Sequence, residues 1–175
     1  MVRRILLAIL MLLPGVPALA EEIVARVAAV AGGDAITVVD AGRGRHEVRL
    51  AHIRAPLPGQ PFADRSRQNL GALLFDQEVR VTRIRRERGG QVFGQVWVVA
   101  PDALCRSRPP CPKALDAGMA QLAAGLARWD QGSGKEQPAE DSGRYEHAEF
   151  EAKIKRSGLW SEKNPVPPWN RRGLR

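Results

Sequence analysis

Several residue types are scarce in this sequence. It has two cysteines, three histidines and, within 27 basic residues, only five lysines. Two cysteines with no histidine nearby are too few for a structural zinc site, which takes four nitrogen or sulfur ligands. Internal repeats are absent. No apolar run reaches the ~20 residues of a membrane-spanning helix. Acidic groups are missing from one stretch in particular: Val48 to Leu70, VRLAHIRAPLPGQPFADRSRQNL, carries a single carboxylate, Asp64.

The N-terminus has its own logic. Arg3 and Arg4 precede the apolar run Ile5–Leu13, which Pro14, Gly15 and Pro17 interrupt. Ala18-Leu19-Ala20 is then a small-x-small site before Glu21-Glu22. That is the layout of a secretory signal peptide over residues 1–20, and the run is too short for the alternative, an uncleaved anchor. Cleavage would deliver a periplasmic or secreted chain with no hold on the membrane. The remainder fits one domain, residues 21–162, with a Pro-rich basic tail, 163–175, that reads as extended. Without Arg3 and Arg4 the chain carries 25 basic and 19 acidic side chains, a net +6. That excess suits a polyanion such as nucleic acid, and it equally suits solubility. The basic set is mostly arginine, which pairs bidentately with phosphate where lysine cannot. In an exported chain Cys105 and Cys111 of CRSRPPC form a local disulfide, the alternative being two free thiols on a loop.

The pattern predicts strands over Glu22–Val30, Ala35–Asp40, His46–Ile53, Glu78–Arg85 and Gln91–Val99, with turns at Gly32-Gly33-Asp34, AGRGR and RERGG. In the last strand Val92, Gly94, Val96 and Val98 share one face, and Phe93, Gln95 and Trp97 the other. A helix follows the third strand, with Pro61 suited to its first position, Asp64 in its first turn and a stripe of Phe62, Ser66, Leu70 and Leu73. Leu115, Met119, Leu122 and Leu126 mark a second helix. Asp130–Gly143 reads as a flexible polar connector, and Tyr145, Ala148 and Ala152 mark a last helix ending at Gly158. Trp160 is expected to fold back as a large apolar anchor, and Trp169 to matter little. Five short strands with a helix between the third and fourth is the order of an α+β, five-stranded OB-type barrel with about three helices.

Six pieces, GGDAITV, EVRLAHIRAP, GQPFADRS, VFGQVWV, LAAGLARW and GLWSEKNPVPPW, occur in an order that resembles the thermonuclease family of staphylococcal-nuclease-like domains, from about Ile23 to Trp169. The resemblance implies the OB-type barrel and a calcium-dependent phosphodiesterase acting on DNA and RNA. In that chemistry two Asp carboxylates and a backbone carbonyl hold the cation, a Glu serves the attacking water, and two Arg side chains neutralise phosphate charge. Carried over by motif, the first Asp matches Asp34 and the first Arg matches Arg49. The second Asp position holds Arg54, the carbonyl falls to Ala55, the Glu position holds Leu57, and the second Arg position holds Gln95. Trp129 is followed by Asp130 and Gln131, where the family places nucleotide-stacking aromatics. Asp34 is thus the only surviving candidate metal ligand, and no cofactor is expected unless the alternative, a calcium-dependent nuclease, holds.

Plainer roles stand beside these. Asp34 also suits a turn, Arg49 a structural ion pair, and His52 and His147 packed or solvated positions rather than a replacement base. Nothing in the sequence aims Asp64 or Glu47 at the site. Arg83, Arg85, Arg86 and Arg88 cluster at a hairpin, as a phosphate contact or a solvated turn. Arg54 is expected to meet Asp34 and form a salt bridge that occupies it. Two function classes follow: a non-catalytic binding or structural module that keeps the barrel, and a nuclease with impaired or displaced groups. A role for the Cys loop or tail on a protein partner has no sequence signature.

Overall fold

The structure is a computed structural model, and it describes residues 22–170 except 88, 108–109 and 133–136. The signal-peptide reading and Arg88 lie outside the described residues. The alternation expected of half-buried strands is visible in β1 (Ile23–Val30), where Ile23, Ala25 and Val27 are buried and their neighbours exposed. It recurs in β2 (Ala35–Asp40), through Ile36 and Val38, and in β3 (Arg45–Leu50), through Val48 and Leu50. The third strand stops earlier than the sequence suggests. His52 takes a positive φ of 63°, and the chain turns through Ala51-His52 before the two-residue β4 (Ile53–Arg54).

β5 (Glu78–Arg86) and β6 (Val92–Val98) complete the barrel. Strand order is β3-β2-β1-β5-β6 with antiparallel neighbours, and β6 closes on β3 by a parallel pairing, Val48 opposite Val92 and Leu50 opposite Gly94. Closure removes the free edges of the five long strands. Val92, Val96 and Val98 turn into the barrel with Val79 and Val81, as the alternation predicts. β7 (Leu115–Asp116) pairs antiparallel with the end of β6, and β8 (Arg128–Trp129) pairs with β4 outside the barrel.

Three helices cover the barrel. α1 (Ala63–Leu74) starts two residues later than Pro61 would place it, because Phe62 adopts a left-handed conformation as its N-cap. Its buried stripe is Ser66, Leu70 and Leu74, with Leu73 at the margin. α2 (Ala117–Ala123) is short: Leu115 belongs to β7 and Leu126 lies beyond the helix end. α3 (Ala139–Ile154) begins inside the stretch that reads as a flexible connector, and buries Tyr145, Glu149 and Ala152. The disulfide Cys105–Cys111 forms in the loop after β6, around a helical turn at Leu104–Ser107.

Two close approaches lock these layers. A Cβ on Gly33 would lie 1.8 Å from Ser66 Oγ and 2.8 Å from the Ala55 Cβ, so only glycine lets the β1–β2 turn sit against α1. Gly125 and Gly158, both at positive φ, meet backbone to backbone, and Leu159 N–H donates to Gly125 O at 2.8 Å. Just beyond that seam Leu159, 2 % exposed, is the deeper anchor. Trp160 is half-buried instead, with its ring between the cations of Arg128 and Lys153. The chain then returns to the barrel: Pro168 is buried, and Asn170 O accepts from Gln60 Nε2 at 2.9 Å.

Candidate functional site

The end of β3, the turn at Ala51-His52, β4 and the near ends of β5 and β6 enclose an open cleft walled by Asp34, Arg49, His52, Arg54, Arg85 and Asp130, among others. Asp34 is placed there by the glycine turn. A buried polar pin holds that turn: Gln121 Nε2 donates to Gly33 O at 2.7 Å and Ser66 O at 3.0 Å, and Ser66 Oγ donates to Leu126 O at 2.6 Å. No motif in the sequence marks Gln121. Its signal is only that a glutamine in an apolar helix must find partners.

Asp34 is 7 % exposed. Its Oδ2 accepts from the Ala55 N–H at 3.3 Å and lies 3.5 Å from Arg49 Nη1. Burial raises its carboxyl above the ordinary value, and Arg49, the Ala55 N–H and Arg54 each pull it back down. The ion pair therefore falls to Arg49, not to Arg54 as the sequence suggests. Arg54 turns the other way, and its Nε donates to Asp130 Oδ2 at 2.9 Å. The reason is local pairing: β4 lies beside β8, and the Asp130 N–H donates to His52 O at 2.9 Å. That bond holds Asp130 beside the strand that carries Arg54.

The other altered positions do not wall the cleft. Leu57 sits in a loop where its N–H donates to Gln60 Oε1 at 2.7 Å. Gln95 is 2 % exposed and hydrogen-bonds the Tyr145 hydroxyl. Tyr145 donates in turn to Asp116 Oδ2 at 2.7 Å, and Asp116 Oδ1 caps α2 by accepting from Gly118 N–H at 2.8 Å and Met119 N–H at 3.2 Å. Burial, and then Asp116, pushes the Tyr145 phenol up, and burial raises Asp116. Gln95 Oε1 is left buried without a partner. Position 95 is thus part of a buried polar chain under α2.

His52 walls the cleft with its ring edge-on to Tyr145, centroids 6.2 Å apart. His147 is exposed on α3 beside Glu151. Of the hairpin arginines, Arg85 reaches the cleft wall and stacks over Phe93 at 4.9 Å. Asp64 faces solvent near Arg67. The site partners missed by motif are Asp130, Tyr145 and Asp116, through the pairings Arg54–Asp130 and Tyr145–Asp116, which join residues distant in sequence.

These walls can hold an anion and do not fit a hard divalent cation. Calcium takes 6–8 oxygen ligands. Here two carboxylates, Asp34 and Asp130, face the space, and each is already paired with a guanidinium, of Arg49 and of Arg54. Among the described residues no three His, Cys, Asp or Glu side chains converge as a metal needs.

The family model for staphylococcal nuclease homologues matches residues 47–162. A protein named micrococcal nuclease from Shigella flexneri is 34% identical over 174 residues, covering 95% of this chain and 89% of its own. Protein ParB of Escherichia coli is 34% identical over 148 residues, 85% of this chain and 78% of its own. An uncharacterized endonuclease of Escherichia coli is 31% identical over 153 residues, 87% of each chain.

Proposed function

The chain belongs to the staphylococcal nuclease homologue family, and on that premise we propose that it is an exported thermonuclease-like protein that holds nucleic acid or another polyanion as an anion and does not hydrolyse it. The observation that carries this reading is Arg54. By motif order it stands at the position of a metal-binding acid, and its guanidinium is paired with Asp130 in the cleft. A cation entering beside it would meet repulsion of roughly 4 kcal/mol per unit charge at 4 Å and an effective dielectric near 20, an upper bound for so exposed a side chain. Leu57 can neither take nor orient a proton, and Gln95 is committed to Tyr145. Arg49, Arg54 and Arg85 remain as a cationic lining for phosphate.

Export is part of the proposal. The sequence layout of residues 1–20 supports it, as does the disulfide. No helix among the described residues is long and apolar enough to cross a membrane. Residues 21–162 form the domain body in this reading and 163–175 the tail, of which Pro168 and Asn170 pack or bond against the body.

A second reading, a calcium-dependent nuclease with displaced groups, draws on one observation: Asp130 brings a carboxylate to the same cleft as Asp34. One experiment separates the two. Purified protein is incubated with single-stranded DNA and RNA, with calcium and with chelator. Salt-sensitive binding without cleavage in both conditions is expected. Calcium-dependent cleavage that disappears in Asp34→Ala would establish the nuclease instead.

A further inference from the structure

Beside the cationic cleft, and sharing Asp130 with it, lies a second open recess walled by Arg128, Gln131, Gly132, Lys153 and Trp169. Its charges are not balanced. Lys153 pairs with Glu149 at 2.6 Å, and Asp130 is taken by Arg54. Arg128 has no carboxylate partner among the described residues, and its Nε is buried without a hydrogen-bond partner. An arginine left this way is held by packing alone. Trp160 stacks on it at 4.9 Å and Trp169 at 5.1 Å.

Trp169 is the unusual member. It is 58 % exposed, yet it is anchored on both sides: Pro168 is buried before it, and Asn170 after it is tied to Gln60 and turned back by its N–H to Pro167 O at 2.9 Å. A large aromatic surface fixed in place and open to solvent loses little freedom when a ligand covers it. The sequence continues with Arg171-Arg172.

We propose that Trp169 is a stacking platform for an unpaired nucleobase, with Arg128 beneath it as the uncompensated cation for the adjoining phosphate. This inference rests on the anion-binding reading of the neighbouring cleft. It names the ligand class as single-stranded nucleic acid, because a base must be unstacked to lie on the indole while its backbone follows the arginines from one recess to the next. Base-on-aromatic stacking tolerates any base, so the preference is for single strands and not for a sequence.

The test compares two polyanions, a labelled oligothymidylate and inorganic polyphosphate of matched charge, by anisotropy in chelator at fixed salt. Wild type is expected to bind both and to prefer the oligothymidylate. Trp169→Ala should weaken oligothymidylate by about tenfold and polyphosphate by less than twofold. Trp169→Phe, which keeps a platform, should retain most of the affinity, whereas Trp169→Leu, which fills the place without a π-face, should lose as much as the Ala variant and stands in if that one fails to fold. Arg128→Gln should weaken both. Equal losses for the two ligands in Trp169→Ala or Trp169→Leu, or no loss in these two, would overturn the platform while leaving the anion cleft standing. Wild type that binds neither ligand would overturn both readings. Wild type that binds polyphosphate as well as oligothymidylate would overturn only this one.

Discussion

Arg54→Asp would supply the acid that the proposed motif alignment places at position 54, but it sets a carboxylate against Asp130, and that has a cost worth working out. The wild-type pair is 2.9 Å long, with side chains 44% and 21% exposed. A half-exposed pair of this kind contributes about 1 kcal/mol. Two carboxylates about 4 Å apart repel by roughly 4 kcal/mol at an effective dielectric near 20. With both groups able to turn partly to water, about half of that, roughly 2 kcal/mol, is the realistic scale. Arg54→Asp should therefore cost about 2–3 kcal/mol, a fall in Tm of about 2–4 °C per kcal/mol for a domain of this size. Asp130→Asn removes the repulsion and should recover most of the loss. Asp130→Arg, which reverses the pair, should recover more. The assay is a double-mutant cycle by denaturant titration at low and moderate salt. Additive effects of Arg54→Asp and Asp130→Asn, or an Arg54→Asp variant as stable as wild type, would refute the coupling. The cycle also sets the design for regaining calcium-dependent cleavage. Arg54→Asp, Leu57→Glu and Gln95→Arg need Asp130→Asn as a fourth change, and the triple variant alone should be less stable than the quadruple one.

Asp34 has a raised carboxyl pKa in the fold. It therefore binds its proton more tightly when folded than when unfolded, and its ionisation destabilises as pH rises from the ordinary carboxylate value through the raised one. Asp34→Asn should accordingly be more stable than wild type at pH 7 and lose that advantage at acid pH; a constant difference across a pH series of melts would contradict this. Asp116→Ala removes the α2 cap and orphans the Tyr145 hydroxyl, for a combined loss of about 2–4 kcal/mol, whereas Asp116→Asn keeps an acceptor and should be mild. Leu159→Ala should cost about 2–5 kcal/mol and Trp160→Ala less, since leucine is the buried member; denaturation midpoints in the reverse order would show the anchor misassigned. Intact mass of exported protein should correspond to a chain beginning near Glu21, lighter by two hydrogens for the Cys105–Cys111 bridge, and free thiols in that material would count against export through an oxidising compartment.

The barrel was legible because its signals are local. β-branched alternation set Ile36, Val38, Val48 and Val96 on one side of their strands, and the glycine turn stood where a hairpin had to reverse. The disulfide was legible from two nearby cysteines read together with the export layout. The site was only half legible. Motif order located Asp34, Arg49 and Arg54 in one cleft, but not the partners that decide their chemistry. Arg54 and Asp130 lie 76 residues apart in sequence, and no periodicity reports such a pairing. Gln95 alternates with valines as a surface residue would, yet α3 lands on it through Tyr145. The start of α3 was hidden for a related reason. Its buried face includes Glu149, a carboxylate kept inside by Lys153 and the Trp129 N–H, so the helix carries no clean apolar stripe.

The meeting of Gly125 with Gly158, and of Gln60 with Asn170, bears on the order in which the molecule can be made. The cleft is built from residues up to Asp130, but the loop that carries Leu57 is also tied to Asn170. A chain emerging N-terminus first can close its strands early, and the tie to the Leu57 loop forms only once Asn170 has appeared. Replacing Asn170 and the residues just before it would therefore loosen the loop that carries Leu57 without touching the barrel.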